Sequence, residues 1–292
     1  MPETSAVVAI EVERFARLSP KHQRVVRYIA ENPSVAAFAT ASELGKRIGI
    51  SAATVVRLAQ TLGFTGYPEF QQNIRHGYLR TLRPLEVQRQ PHGGDDPVQG
   101  QIYQDIENLR RMMETLHIDV FTRIVERIER ASQIVIISQG THSSVAMVLG
   151  AHLRFMGYRA LVEDRGGPHL TAAIAPLGAN DLVIGITFWK GVREIVKAVE
   201  WAAGRGIPTV GITDTIYSPL AKTVTECLAL PTEGTSFFHS MVAPLALVNA
   251  LLAQLALKAD DARREIMREA ERSYDLIGCM ATESDKTQIM SS

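Results

Sequence analysis

The sequence predicts two domains, an all-α helix-turn-helix domain followed by an α/β domain with a doubly wound parallel sheet. Three observations predict this. Between Arg14 and Arg83, eleven Lys or Arg stand against three acids, so that stretch carries +8 in a chain of zero formal net charge. A segment rich in Pro and Gly, PLEVQRQPHGGDDP, then interrupts the chain at 84–97, and its turn formers and polarity keep it out of either core. Beyond it, short β-branched apolar runs alternate with helical stretches, which is how buried parallel strands and their crossover helices read. The expected boundaries are 12–83 for the helical domain, 84–97 for the linker and 98–280 for the α/β domain.

Four helices are readable in the basic stretch. The first is expected over Pro20–Glu31, with Ser19 as N-cap, Pro20 at the first helical position and Asn32-Pro33 as the stop. The second runs from about Thr40 to Ile48, where Thr40 followed by Glu43 is a capping-box pattern. Gly49 breaks it, and Ser51 caps a third helix over Ala52–Leu62. A fourth begins near Tyr67, after Gly63 and Gly66. Only a tight turn fits at Ile48-Gly49-Ile50-Ser51. Leu44, Ile48, Ile50, Val55 and Leu58 form a wedge that holds the second and third helices at a steep angle, and Gly45 supplies the small residue that their backbones need.

In that geometry the third helix enters the DNA major groove with its N-terminal end first. Its outward residues are expected to be Ala52, Ala53, Thr54, Arg57, Gln60 and Thr61. The hydroxyls of Ser51 and Thr54 can meet phosphate or a base edge, although capping alone also accounts for Ser51. Arg57 can clamp a phosphate or read guanine bidentately, and Lys46 and Arg47 lie where they can touch the backbone. The expected DNA-contacting set is therefore Lys46, Arg47, Ser51, Ala53, Thr54, Arg57 and Gln60.

Downstream, helices are expected over Val98–Leu116 and Asp119–Ala131. Strands follow at Gln133–Ser138, Ala160–Glu163, Asp181–Thr187, Pro208–Thr213 and Cys227–Leu230. Crossover helices are expected at Ser143–Met156, Pro168–Leu177, Gly191–Arg205 and Ser218–Thr225. A long apolar helix, Ser236–Leu257, and a charged one, Asp260–Ile277, complete the reading. The apolar helix is hydrophobic on more than one face, which suits a subunit interface.

The loop after the first strand, Gln139-Gly140-Thr141-His142-Ser143-Ser144, brings small polar residues to a helix N-terminus. Backbone N–H groups and hydroxyls converge at such a place and favour an anion or sugar hydroxyls, while simple capping is the competing role. The G-x-G-x-x-G spacing of a dinucleotide site is absent. After the third strand comes Phe188-Trp189-Lys190-Gly191, in which Trp189 can stack on a ligand or pack on a partner subunit and Lys190 can pair with an anion. Glu233 and His239 are the nearest approach to an acid–base pair, though a capping partner and an interface group describe them better. The candidate ligand-binding residues are Thr141, Ser143, Ser144, Thr187, Trp189, Lys190, Glu233 and His239. No catalytic residue is assigned.

The stretch LSPKHQRVVRYIAENPSVAAFATASELGKRIGISAATVVRLAQTLGFTGYPEF resembles the N-terminal domain of the RpiR family of bacterial transcription regulators, through Glu31–Pro33 and Leu62–Phe70. The resemblance implies binding to operator DNA as a dimer or tetramer. Asp181–Thr187, Gly206–Asp214, Tyr217–Ala221 and Pro231-Thr232-Glu233 resemble the SIS, or sugar isomerase, domain. That domain implies phosphosugar binding, by isomerases or by effector sensors. The loops depart from the family pattern. Ser138 and Gly140 stand at the glycines of its Gly-x-Gly-x-Ser loop, and His142 stands at the serine. Where its phosphate loop reads Ser-x-Ser-Gly-x-Thr, this chain has Thr187, Trp189, Lys190 and Val192. A phosphosugar, another anion, or an unphosphorylated polyol with an apolar face against Trp189 all remain open.

Several classes are disfavoured. No uninterrupted apolar run approaches the ~20 residues that span a bilayer, and MPETSAVVAIEVERF has no basic cluster of the kind that opens a signal peptide. Cys227 and Cys279 form no CxxC pair, and no His, Cys, Asp or Glu group has metal-ligand spacing. The expectation is a cytoplasmic, non-enzymatic transcription regulator with no membrane association, no cofactor and no metal. Its partners would be double-stranded DNA carrying a palindromic operator, a small-molecule effector, and further copies of itself as homodimer or homotetramer. A sugar-phosphate isomerase with an accessory helical domain, and a DNA-bound assembly protein without a ligand, are the alternatives.

Overall fold

The computed structural model describes residues 18–37, 39–81, 96–189, 191–236 and 238–277. Lys190, Cys279 and most of the expected linker lie outside them. The described residues group into two compact units, one drawn from Met1–Gly100 and Thr235–Phe238, the other from Gln101–Gly234 and His239–Ser292.

The first unit is all helical. Helix α1 (Pro20–Glu31) starts at Ser19, whose hydroxyl accepts from the His22 amide. A short α2 (Pro33–Ala36) follows directly, where the sequence reads only a stop. Pro33 ends one helix and opens the next, because its fixed φ suits a first helical position. Helix α3 (Ala41–Ile48) carries both arms of the capping box, Thr40 with Glu43. Helix α4 (Ala52–Thr61) is capped by Ser51, and α5 (Tyr67–Thr81) closes the unit. Val25, Ile29, Leu44, Val55, Leu58, Phe70 and Ile74 are fully buried at its centre.

Two glycines fix the α3–α4 turn. A Cβ on Gly45 would lie 2.8 Å from the Ile50 carbonyl oxygen and 3.2 Å from the Ala52 nitrogen, both backbone atoms that cannot swing aside. Gly49 ends α3 at φ +75°, a left-handed conformation that costs other residues about 1–2 kcal/mol. Arg24 of α1 donates to the Ile48 carbonyl at 2.7 Å and so satisfies the end of α3 from outside.

The second unit is a three-layer α/β fold. Helices α6 (Pro97–Thr115) and α7 (Ile118–Arg130) lead into a parallel sheet of order β2-β1-β3-β4-β5. The strands are β1 (Ile134–Ile137), β2 (Ala160–Glu163), β3 (Leu182–Ile186), β4 (Thr209–Thr213) and β5 (Glu226–Ala229). The connecting helices are α8 (Ser143–Phe155), α9 (Gly167–Ile174) and α10 (Arg193–Gly204), and α11 (Val242–Lys258) and α12 (Asp261–Ile277) follow β5. Alternation along the strands separates the layers. Ile134, Ile136, Ile184 and Ile212 face a core shared with α7, α8 and α11. Val135, Ile137 and Val183 face the opposite core, with Leu170 and Ile174 of α9 and Ile195 and Val199 of α10.

Two expectations are corrected here. No helix forms over Ser218–Thr225, where the chain is a run of turns. Ser218 Oγ accepts from the Ala221 amide and Thr223 Oγ1 donates to the Leu220 carbonyl, local bonds that compete with a helical ladder. The long apolar helix begins at Val242, not Ser236, so His239 precedes it. Ser240 holds the chain back, its amide donating to the Thr232 carbonyl at 3.1 Å and its hydroxyl accepting from the Val242 amide at 3.2 Å. The apolar character of α11 is used largely inside its own unit, where Ala243, Leu247, Val248, Leu251 and Leu255 are buried.

The close approach at Gly45 yields a test. Gly45→Ala is expected to cost about 1–3 kcal/mol, the usual scale of overpacking. In differential scanning calorimetry of the full chain it lowers the transition of the helical unit and leaves that of the α/β unit in place.

Candidate functional sites

On the helical unit, α4 projects Ala53, Arg57, Gln60 and Thr61 into solvent. Lys46 and Arg47 are exposed on the last turn of α3, and Ser51 is exposed at the cap. Thr54 departs from expectation. It is 8 % exposed rather than outward, its hydroxyl sharing a 2.9 Å hydrogen bond with Ser51 Oγ. One helical turn from the cap, its side chain turns toward the α3 junction and completes the cap. Ala52, also expected outward, is half-buried. Thr61 Oγ1 donates back to the Arg57 carbonyl at 2.8 Å, which leaves Arg57 and Gln60 as the long polar side chains of the exposed face.

A concave surface of about 440 Å³ lies beside this face, lined by Lys21, Arg24, Gly45, Lys46, Gly49, Ile50, Ser51 and Thr54. Its cations come from α1 as well as α3. Sequence reading missed Lys21 because nothing in the spacing of α1 shows which side faces the turn.

On the α/β unit, winding reverses between β1 and β3, and such reversals place a crevice at the C-terminal strand ends. Ser138 Oγ donates to the Ile186 carbonyl at 3.1 Å and ties the two ends together. The β1 loop makes a 3₁₀ turn, Gly140–His142, before α8. Thr141 and Ser144 are exposed on it, and Ser144 Oγ donates to the Thr141 carbonyl at 2.9 Å. Ser143 is 7 % exposed. Its Oγ and the neighbouring His142 Nδ1 are buried with no hydrogen-bond partner among the described residues.

The β3 loop faces them. The Phe188 ring, itself buried, meets the His142 imidazole edge-on at 5.2 Å. Trp189 adopts φ +60°, the one non-glycine residue in the left-handed region among those described. Its amide donates to Asp214 Oδ2 at 2.8 Å, and its indole lies 4.6 Å from the His239 ring. Thr187 is buried, with Oγ1 accepting from the Val192 amide at 3.1 Å. Trp189 and His239 thus come together as one aromatic wall, and His142 and Asp214, which sequence reading did not select, join it. Asp214 was visible only as the last residue of a strand motif, and His142 only as the residue standing at a family serine.

Glu233 has other company. Arg111 of α6 donates to its Oε1 at 3.0 Å, and the buried Asn108 donates to its backbone carbonyl at 2.8 Å. A loop carboxylate engaged by a guanidinium from a helix suits an anchor between elements. The candidate Lys190 lies outside the described residues.

Comparison with known proteins decides what these two units are. A helix-turn-helix domain of the rpiR family matches residues 10–78, and a SIS domain matches residues 127–254. The chain belongs to the RpiR family. It is a DNA-binding regulator built from a helix-turn-helix unit and a SIS unit. An uncharacterized helix-turn-helix-type transcriptional regulator of Caldanaerobacter subterraneus is 26% identical over 285 residues, 93% of this chain and 96% of that one. The regulator HexR of Pseudomonas aeruginosa is 24% identical over 244 residues, 82% of this chain and 84% of its own. Among solved structures, the sugar isomerase domain of an RpiR transcription factor from Sphaerobacter thermophilus is 35% identical. That match covers 61% of this chain and 99% of that one, with a TM-score of 0.58. Vibrio vulnificus NanR, complexed with ManNAc-6P, is 26% identical over 92% of this chain and 97% of its own, with a TM-score of 0.59.

The crevice of this RpiR-family protein has an electrostatic signature. Burial lowers the pKa of His142, nearby His239 lowers it further, and Asp214 opposes the shift. The unfolded imidazole takes up its proton near pH 6.5, while the folded one resists. The unfolded state then binds more protons, so this contribution is fully present above about pH 6.5 and declines as pH falls through that value. The melting temperature of the α/β unit is expected to be lower at about pH 5.5 than at about pH 7.5. His142→Asn is expected to reduce the difference, read by thermal melts at matched ionic strength.

Proposed function

We propose that this RpiR-family protein binds a palindromic operator and that a small polar metabolite, held in the crevice of the SIS unit, sets its affinity for that DNA. The observation that carries the reading is the pairing of a basic, exposed recognition face with a second unit whose crevice holds two buried polar atoms without partners among the described residues. Lys46, Arg47, Ser51, Ala53, Arg57 and Gln60 form the proposed DNA-contacting set, with Lys21 added from the structure. Thr54 acts through the cap rather than by contact. Ser143, His142, Trp189 and His239 line the proposed effector site, and the exposed Thr141 and Ser144 stand at its rim. Thr187 and Glu233 serve as scaffold, through Val192 and Arg111 respectively.

Segment 84–97 joins the two functions as a linker, and no turnover is assigned. A two-fold operator calls for at least a homodimer. Exposed Ile102, Tyr103, Ile106 and Met113 on α6 supply apolar surface suited to contact with a second copy or, in a homotetramer, with more than one. Effector binding would then re-space the paired helical units, a coupling that requires different effector affinity in the two states.

The test is selection of genomic fragments on the immobilised full chain, followed by fluorescence anisotropy. The wild type is expected to prefer a two-fold-symmetric sequence, with affinity falling steeply as salt rises. Arg57→Ala is expected to weaken binding by about tenfold or more, at unchanged helical circular dichroism. Failure of the wild type to enrich any sequence, with and without metabolite extracts, sinks the proposal.

A further inference from the structure

The concave surface on the helical unit is chemically one-sided. Among the described residues that line it, Lys21, Arg24 and Lys46 are cations and none is a carboxylate. Lys and Arg side chains only donate hydrogen bonds, so the lining calls for an acceptor that carries negative charge. Glu43, the acid of α3, is bound to Thr40 at the other end of that helix. Gly49 adds no side chain to fill the space, since a Cβ there would meet only the Arg24 guanidinium, at 4.0 Å. All three cations are exposed. That suits a polymer lying across the surface better than a metabolite, which pockets bury over most of its area.

Arg24 is held in a defined pose. One terminal nitrogen donates at 2.7 Å to the carbonyl of Ile48, the last residue of α3. A guanidinium carries five N–H donors in a rigid fork, so the same group can grip a phosphate oxygen while it keeps that carbonyl. A phosphate seated there is keyed to the α3–α4 turn, and through the turn to the tilt of α4. A lysine ammonium lacks the planar fork that fixes both directions at once.

The cap of α4 supplies a further donor. Ser51 Oγ accepts from the Thr54 amide at 3.3 Å and shares a 2.9 Å bond with Thr54 Oγ1. With the Thr54 hydroxyl as donor, the Ser51 O–H is left to point outward. Ser51 can then cap α4 and touch phosphate together.

We infer that this concavity seats one backbone phosphate in each operator half-site, bound by Lys21, Lys46 and Ser51 and gripped by Arg24, and that Arg24 is the positioning residue that aligns α4 in the groove. The inference rests on the reading of the helical unit as operator-binding. It gives α1 a backbone contact that carries no base information.

A phosphate scan tests it. The full chain is titrated by fluorescence anisotropy with the selected operator fragment and with a scrambled fragment of equal length. Further operator fragments carry a neutral methylphosphonate at one backbone position at a time. Lys21→Gln is expected to weaken both DNAs by the same factor, about threefold to tenfold, and to lower the slope of log affinity against log salt by about 1. At one phosphate per half-site, neutralisation is expected to weaken the wild type and to add nothing to Lys21→Gln, the non-additivity that marks a direct contact. Arg24→Lys keeps the charge and loses the fork. It is expected to narrow the operator-to-scrambled ratio by about fivefold or more, whereas a merely structural role would lower the melting temperature and leave that ratio alone.

Additivity at every phosphate, or a salt slope untouched by Lys21→Gln, overturns the phosphate seat and leaves operator binding intact. A ratio unmoved by Arg24→Lys overturns the positioning role. Inorganic phosphate is the further probe. If it raises the melting temperature of the helical unit through Lys21 while DNA binding ignores Lys21→Gln, the surface holds a free anion and the assignment to DNA is overturned. A wild type that prefers no fragment overturns both readings. If Arg24→Lys does not fold, Lys21→Gln and the phosphate scan still decide.

Discussion

The reversal of winding between β1 and β3 is the constraint on which the α/β unit depends. Right-handed crossovers send α8 to one face of the sheet and α9 and α10 to the other. The two strand ends are left side by side with no helix between them, and Ser138 Oγ bridges them to the Ile186 carbonyl. Everything in the proposed effector crevice hangs from that junction. The β1 loop delivers His142 and Ser143, the β3 loop delivers Phe188 and Trp189, and β4 ends at Asp214. A crevice made this way is defined by loops, so its chemistry can change while the sheet beneath it stays the same.

That separation explains how a family fold carries an altered site. The chain fills its loop amides with its own carboxylates. Asp214 takes the Trp189 amide, Glu163 takes those of Arg165 and Gly166, and Glu194 takes that of Gly167. Each carboxylate satisfies loop amides from within the chain and helps hold its loop in a single shape. The helical unit uses the same economy. Glu43 caps α3 through Thr40, and Glu69 accepts from the Thr65 amide at 2.6 Å. Glu43 and Glu69 are thus spent on helix starts, which leaves Lys21, Lys46, Arg47 and Arg57 to set the field of the proposed DNA-contacting face.

Backbone cost and side-chain contact oppose each other at Trp189. Its left-handed backbone carries a cost that glycine would not. Its bond to Asp214 and its contact with the His239 ring are what hold it there. The inertness of Cys227, whose thiol is pushed up to about 12 mainly by burial, shows the contrary case of a reactive group placed where packing alone uses it.

Local signals settled most of the architecture before any contact was known. Ser19-Pro20, Thr40 with Glu43, and Ser51 each mark a helix start because a cap is a short-range hydrogen bond, and the structure forms all three. Continuous runs rich in β-branched residues marked the three central strands β1, β3 and β4, because burial on both faces removes the need for alternation. Gly45 and Gly49 were legible as the turn because only backbone sterics are involved. What sequence could not decide was direction and partnership. Thr54 turned inward, and its role passed to the cap. The segment after Tyr217 chose local turns over a helix, and the apolar helix waited until Val242 because Thr232 holds Ser240 from eight residues away. The pairing of Trp189 with Asp214 and His239, and of Glu233 with Arg111, spans 25 to 122 positions. Such contacts are set by which strand ends lie together, and that is a property of the folded sheet alone.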